Sequence, residues 1–340
     1  EGRIYTATCM SGLFLLRWRW QVSGRQLIAL SCALLGVVVA ARGSEPDACF
    51  SAAVHAGPPE MTVAEIRAKC EQQPVDESIA GTPIQRRLFA EFQTMDRPYT
   101  LTTHRPNYLL PATYVSDPNE APFQFLAGNP ALDNLEASFQ ISFKVPLLRN
   151  VFAPGNTIFG AYTNRSWWQA YNSQSSSAFR ETNHEPEVFL RHYGGPRVLG
   201  LDVAAWDVGV VHQSNGRADP LSRSWNRVFA GVAGEVGNLA LSLKGWYRLP
   251  DADNDNPDMQ RYLGYGELRA FYTPNRNTFG LMLRPGTEKN SVELSWSFPL
   301  TTQLRFYALY FNGYGESLLD YDRHIERIGL GIALNDYLQN

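Results

Sequence analysis

The stretch Glu136-Ala137-Ser138-Phe139-Gln140-Ile141-Ser142-Phe143-Lys144-Val145-Pro146-Leu147-Leu148 alternates apolar and polar residues along most of its length. Successive side chains of a strand point to opposite faces, so Ala137, Phe139, Ile141, Phe143 and Val145 share one face and Ser138, Gln140, Ser142 and Lys144 the other. A run of this length, with a lysine in its interior, suits a strand that shows lipid on one side and a wet lumen on the other; about ten residues are enough to cross the apolar layer. Runs of the same kind lie on both sides of it: Asn107 to Tyr114, Thr157 to Tyr171, Glu187 to Tyr193, Val198 to Gln213, Ser224 to Val236, Leu239 to Arg248, Arg261 to Tyr272, Asn277 to Arg284, Ser291 to Phe298, Thr302 to Gly313 and Ile325 to Leu334. That makes twelve, an even number as single-chain bacterial barrels have, and closure pairs the backbone groups that lipid cannot satisfy. The fold expected is all-β: a twelve-stranded antiparallel transmembrane β-barrel over residues 101–340, preceded by an N-terminal periplasmic extension.

Composition is compatible with this and narrows the alternatives. A formal net charge of −3 over 340 residues gives no electrostatic case for nucleic acid. The mean hydropathy of −0.27 resembles a soluble protein's, but strands that alternate lipid-facing and lumen-facing residues average to such a value. Aromatics at 12%, with 8 Trp and 16 Tyr, fit interfacial girdles, although a soluble β-sandwich could carry them too. Leu27 to Ala41 is an apolar run preceded by Arg17, Arg19 and Arg25 and followed by Ala41-Arg42-Gly43-Ser44. Too short to span a bilayer, it reads as a secretory leader over residues 1–43, with Met10 as the expected true start.

Cys9 and Cys32 fall in that leader. Cys49 and Cys70 remain in an oxidising compartment, and a disulfide is the pairing they point to, with two free buried thiols as the alternative. The histidines at 55, 104, 184, 192, 212 and 324 show no zinc-ligand spacing with them. Residues 44–100 contain one expected helix, Thr62 to Gln73, opened by Thr62 with Glu65 three places on.

Between two of the strand runs lies Val211-His212-Gln213-Ser214-Asn215-Gly216-Arg217-Ala218-Asp219-Pro220-Leu221-Ser222-Arg223-Ser224-Trp225-Asn226-Arg227. Read as a hairpin centred on Asp219, it puts Asn226 across from His212 and Ser224 across from Ser214. A hydroxyl, an imidazole and an amide that orients the imidazole then share one face, as in a Ser-His-X hydrolase. Taken alone, the same residues make an ordinary polar turn.

The whole run closely resembles the active-site segment of the outer-membrane phospholipase A family, with His212, Ser214 to Arg217, Asp219, Pro220 and Ser222 to Arg227 all matching its pattern. Tyr162 to Gln169, Ser175 to Asn183, Asp255 to Asp258 with Tyr262 to Tyr265, and Gly313 to Leu318 resemble other segments of that family, and the likeness runs from about Arg105 to Leu338.

The resemblance implies a calcium-dependent lipase of membrane phospholipids. It makes Ser214 the nucleophile, His212 the general base and then acid, and Asn226 the residue that holds His212 in its productive tautomer. An amide in that role avoids a carboxylate facing lipid, where desolvation is costly. The resemblance places the oxyanion site at Ser214 and the Gly216 N–H, and Ca2+ at the Arg217 carbonyl and Ser222, with Ser176 reaching it from a second subunit of a calcium-promoted homodimer. Asp219 and Asp255 would form a secondary calcium site; the cluster Asp251, Asp253, Asp255 and Asp258 reads equally as a solvated turn. Asn164 matches a glutamine on the family's lipid-buried dimer face. Trp167-Trp168 is expected to anchor the interfacial girdle. The ending Asp336-Tyr337-Leu338-Gln339-Asn340 departs from the usual terminal aromatic, with Tyr337 as the expected substitute. The rival readings are a passive barrel (porin or adhesin) and a soluble periplasmic esterase.

Overall fold

A computed structural model describes residues 81–95, 100–123, 131–175, 178–250, 256–335 and 338. The leader, Cys49, Cys70, the helix expected at Thr62 to Gln73, Ser176, Asp251, Asp253, Asp255 and Tyr337 lie outside the described residues.

Twelve long strands follow one another around a closed antiparallel barrel. They are β1 (Tyr108–Val115), β2 (Leu135–Arg149), β3 (Asn156–Trp168), β4 (Phe179–Tyr193), β5 (Leu201–Ser214) and β6 (Ser224–Val236). Then come β7 (Leu239–Arg248), β8 (Gly266–Tyr272), β9 (Thr278–Pro285), β10 (Asn290–Pro299), β11 (Leu304–Tyr314) and β12 (His324–Leu334). Each pairs with the strands before and after it, and β12 returns to β1 through pairs such as Ile328 with Tyr114. Two-residue pieces at Thr102–Thr103 and Arg197–Val198 add to the rims of β2 and β5. Near Pro111, which has no N–H to give, the ladder from β1 to β2 shifts register between Leu110 and Thr113.

The alternation read from residues 136–148 is realised. Ile141 is exposed on the outer wall while Glu136, Ser138, Ser142 and Lys144 are buried inside. Around the barrel the same phase sets Trp206, Val208 and Val210, Val228 and Val232, Leu294 and Trp296, and Ile328, Leu330 and Ile332 outward. A belt of exposed large apolar side chains on a soluble protein would be an aggregation hazard; on a barrel it is the surface that lipid covers.

The lumen is packed rather than open. Aromatic residues such as Phe159, Phe189 and Phe229 pack against one another inside it. Arg105 to Glu185 at 2.7 Å and Lys244 to Glu187 at 2.9 Å join separate parts of its wall, and Arg269 meets Glu267 of its own strand at 2.8 Å. Short connections at 150–155, 194–200, 237–238, 273–277 and 300–303 mark the periplasmic end; those at the other end face outward, and apart from 286–289 they are longer.

The periplasmic end also holds an element that the strand pattern did not reveal, helix α1 (Pro83–Met95). Pro83 occupies the first helical position, where its missing N–H costs nothing. Ile84, Leu88, Phe92 and Met95 recur at helical spacing, and Met95 is buried with Phe159 and Phe189. Polar groups fasten the helix: Lys144 Nζ lies 2.7 Å from Glu91, Tyr193 donates to Glu91 at 2.8 Å, and the Ile84 N–H donates to Glu235 at 2.7 Å. A second short helix, α2 (Gln260–Leu263), occupies the first part of the run expected as the Arg261 to Tyr272 strand. β4 also begins earlier than expected, at Phe179 rather than Glu187.

Candidate active site

β5 and β6 pair with His212 opposite Asn226 and Ser214 opposite Ser224, the register expected from a turn about Asp219. Even-numbered residues of both strands point outward. His212 and Ser214 extend the row of Trp206, Val208 and Val210, and Asn226 extends that of Val228 and Val232. All three groups therefore sit on the lipid-facing wall, near its outer rim.

His212 Nδ1 lies 2.8 Å from Asn226 Oδ1. A carbonyl oxygen only accepts, so Nδ1 donates, and the Nε2 lone pair is left to take a proton. Ser214 is two residues along on the same face, and among the described residues no hydrogen bond joins its hydroxyl to the imidazole. Beneath this outer layer the inward residues are tightly tied. Trp225 Nε1 donates to Gln213 at 2.7 Å, and the Arg227 guanidinium lies 3.9 Å from the Trp225 ring centroid. The backbone that carries the three polar groups thus rests on a rigid inner row.

The connecting loop is held by Asn215, which is buried. Its amide donates to the Leu221 carbonyl at 2.8 Å, and its Oδ1 accepts from the N–H groups of Arg217 at 3.3 Å and Arg223 at 3.0 Å. Gly216 follows with φ +65°, a left-handed conformation that a side chain would strain. Leu221 packs with Phe123 and Leu319, and Arg217 donates to the carbonyls of Phe179 and Arg180 at 3.1 and 2.7 Å. Among the described residues the Gly216 N–H donates to nothing and the Arg217 carbonyl accepts nothing. Asp219 is exposed and Ser222 half-buried. Of the acidic cluster at 251–258, Asp258 accepts from the Tyr321 hydroxyl at 2.9 Å.

Trp167 and Trp168 part company, which corrects the expectation of a paired girdle anchor. Trp168 is partly exposed on the outer wall and stacks on Phe179 at 5.4 Å. Trp167 is fully buried in the lumen, with the Arg165 guanidinium 5.0 Å from its ring centroid. Adjacent strand residues must face opposite ways, so one of the two was bound to turn inward.

His184 was not among the candidate residues, yet it is the β4 residue paired with Ser214. Finding it requires the register between β4 and β5, which no local motif encodes.

A polar trio on the lipid-covered wall of a closed twelve-stranded barrel defines a class, the membrane-embedded β-barrel hydrolases. The profile of the phospholipase A1 family matches residues 84–334. Phospholipase A1 of Proteus vulgaris is 36% identical over 271 residues, covering 78% of this chain and 93% of its own length. That of Escherichia coli K12 is 39% identical over 249 residues, covering 72% and 84%. Among solved structures, outer-membrane phospholipase A from Escherichia coli matches with a TM-score of 0.68 at 37% identity, over 70% of this chain and 99% of that one. The Salmonella typhi enzyme, solved as a dimer with bound calcium, has the same TM-score and identity over 71% of this chain and 94% of its own. An active-site variant of the Escherichia coli enzyme with an asparagine changed to alanine reaches 0.70 at 36% identity, over 76% and 99%. The chain belongs to the phospholipase A1 family, ester hydrolases built as β-barrels in the outer membrane.

Proposed function

We propose that the chain cleaves phospholipid acyl esters as a calcium-dependent homodimer, with Ser214 as nucleophile, His212 as general base and acid, and Asn226 as the group that orients His212. The observation that carries this reading is the 2.8 Å contact from His212 Nδ1 to Asn226 Oδ1 on the wall that also bears Ser214. The asparagine changed in the Escherichia coli active-site variant and the calcium-bound Salmonella typhi dimer support it by analogy.

In this mechanism a phospholipid lies along the outer wall with its ester over Ser214. His212 Nε2 takes the Ser214 proton as Oγ attacks the acyl carbon, and the Gly216 N–H donates to the carbonyl oxygen as it gains charge. When the tetrahedral adduct collapses, the bond to the glycerol oxygen breaks and His212 returns the proton to that oxygen, releasing lysophospholipid. Water, deprotonated by the same imidazole, then frees the fatty acid and restores Ser214. Asn226 keeps Nδ1–H fixed throughout, but as a neutral group it stabilises the transient imidazolium less than a carboxylate would.

A cation fits beside this site. Calcium favours carbonyl and hydroxyl oxygens, and the Arg217 carbonyl and Ser222 are donors of that kind. Among the described residues no cluster of three or more His, Cys, Asp or Glu side chains could hold a metal instead. Bound calcium would stabilise the developing oxyanion and so offset the weaker stabilisation of the imidazolium by a neutral Asn226. Ser176, the proposed ligand from a second subunit, and Asp219 with Asp255, the proposed secondary site, complete the reading.

Refolded protein in detergent should release fatty acid from a diacyl phospholipid, and chelating calcium should lower the rate about 100-fold, as loss of one oxyanion contact does. Readdition of calcium should restore both the rate and the dimer seen by sedimentation. A rate indifferent to chelation would remove calcium from the reading.

A further inference from the structure

We propose that His184 is a further catalytic residue, donating a hydrogen bond from Nε2 to the carbonyl oxygen of the scissile ester. The proposal rests on Ser214 being the nucleophile. Three observations lead to it. First, the ring is placed against the site: His184 pairs with Ser214 across the β4–β5 ladder and shares its outward face. Directly opposed residues on one sheet face have Cβ atoms about 5 Å apart, so the imidazole borders whatever lies over the Ser214 hydroxyl.

Second, the ring is held. The Tyr162 hydroxyl lies 2.7 Å from His184 Nδ1, and the Asn164 amide nitrogen 3.4 Å from the same atom. Asn164 is in turn fixed by Ser166, whose hydroxyl donates to its Oδ1 at 3.1 Å. The Asn164 amide nitrogen can only donate, and a phenol readily does so. Both point at Nδ1, which is therefore the acceptor, and the ring proton resides on Nε2. Among the described residues Nε2 has no partner.

Third, the free edge faces the right way. Nδ1 and Cδ2 lie on opposite sides of an imidazole. With Nδ1 turned to β3, the Cδ2–Nε2 edge turns to the catalytic hairpin. His184 Cδ2 comes within 3.9 Å of where a Cβ on Gly216 would stand. A donor N–H thus borders the corner formed by Gly216 and Ser214, and in a lipid-covered setting such a donor has little water to compete with it. Below this level the wall turns apolar at Val188 and Val210, which suits an acyl chain running down from an ester held at His184 and Ser214.

The test compares His184→Leu, His184→Gln and Tyr162→Phe with the parent, as refolded full-length protein with calcium, on a diacyl phospholipid in mixed micelles at two protein concentrations. Leucine suits a lipid-facing strand, so the barrel should form, and Tyr162→Phe probes the same donor without touching the imidazole. His184→Leu should lower kcat by about tenfold or more while KM stays near the parent's, as for loss of a donor that acts in the transition state. His184→Gln, which keeps an N–H donor, should recover part of the loss, and Tyr162→Phe should lower kcat by a smaller factor.

An unchanged kcat in His184→Leu overturns the proposal, as does a raised KM at constant kcat or a glutamine no better than leucine. A loss that disappears at the higher protein concentration also overturns it, assigning His184 to contact between subunits. Ser214→Ala measured in parallel separates the two levels: activity retained there removes the nucleophile itself, whereas an inactive Ser214→Ala beside a fully active His184→Leu removes only His184.

Discussion

Ser214→Ala is expected to give a barrel that assembles as the parent does and releases fatty acid at least about 10³-fold more slowly, the scale of loss when the nucleophile of a triad is removed. Assembly should be spared because the Ser214 hydroxyl makes no hydrogen bond among the described residues and faces the lipid side of β5, where alanine is acceptable. Fatty-acid release in detergent micelles measures the chemistry, and far-UV circular dichroism with the thermal midpoint measures the barrel. The pairing of the two matters, because a passive barrel and an enzyme differ only in the first. Near-parental release from an intact Ser214→Ala barrel would move the chemistry to another residue, with Ser224, directly across the ladder from Ser214, the first to examine.

The sequence discloses some of this architecture and hides the rest for identifiable reasons. β6 and β7 were legible to the residue because Gly237, at φ +54°, and Asn238 make an unmistakable tight turn between two clean runs. The meeting of His212 and Asn226 was legible too, since one hairpin loop fixes the register of both arms. The first half of β4 was not. Its inward residues Glu181, Asn183 and Glu185 are polar because the lumen is, and its outward residues Thr182 and His184 are polar too, His184 standing directly across from Ser214. With both faces polar the alternation vanishes beside the proposed site. α1 carries a helical apolar spacing but sits in the stretch read as a periplasmic extension with a single helix at Thr62 to Gln73, and only the barrel mouth gives its buried face a partner. The proposed calcium ligand at Arg217 is a backbone carbonyl, which leaves no mark on residue type.

Arg180→Met should cost the folded barrel about 3–5 kcal/mol at neutral pH, the scale for breaking a buried ion pair from one side. Arg180 is buried at the start of β4, where it donates to Asp320 at 2.6 Å and to Glu136 at 3.1 Å. Glu136 keeps a second cation, Arg327, at 2.6 Å. Asp320, in the external loop at 315–323, would keep only the hydroxyl of Ser317 and the amide of Asn119.

Acid should narrow the difference between variant and parent, and the direction follows from the carboxyl. In the parent, burial pushes the Asp320 carboxyl up, but Arg180, with Ser317 and Asn119, outweighs burial and holds it below its ordinary value of 3.8. Its stabilising contribution is present above that value and fades as pH falls through the depressed one. Without Arg180, burial prevails and the group moves above its ordinary value. The stability cost is then full at neutral pH and is relieved as falling pH neutralises the carboxyl. Urea midpoints at pH 7 and near pH 4 should therefore show a large gap at the first and a smaller one at the second. A pH-independent gap would mean that lost packing of the arginine stem, not the stranded carboxylate, sets the penalty. Activity should fall along with stability in Arg180→Met: Arg217, in the loop that presents Gly216, donates to the backbone carbonyl at position 180 at 2.7 Å, and loosening the start of β4 moves that anchor.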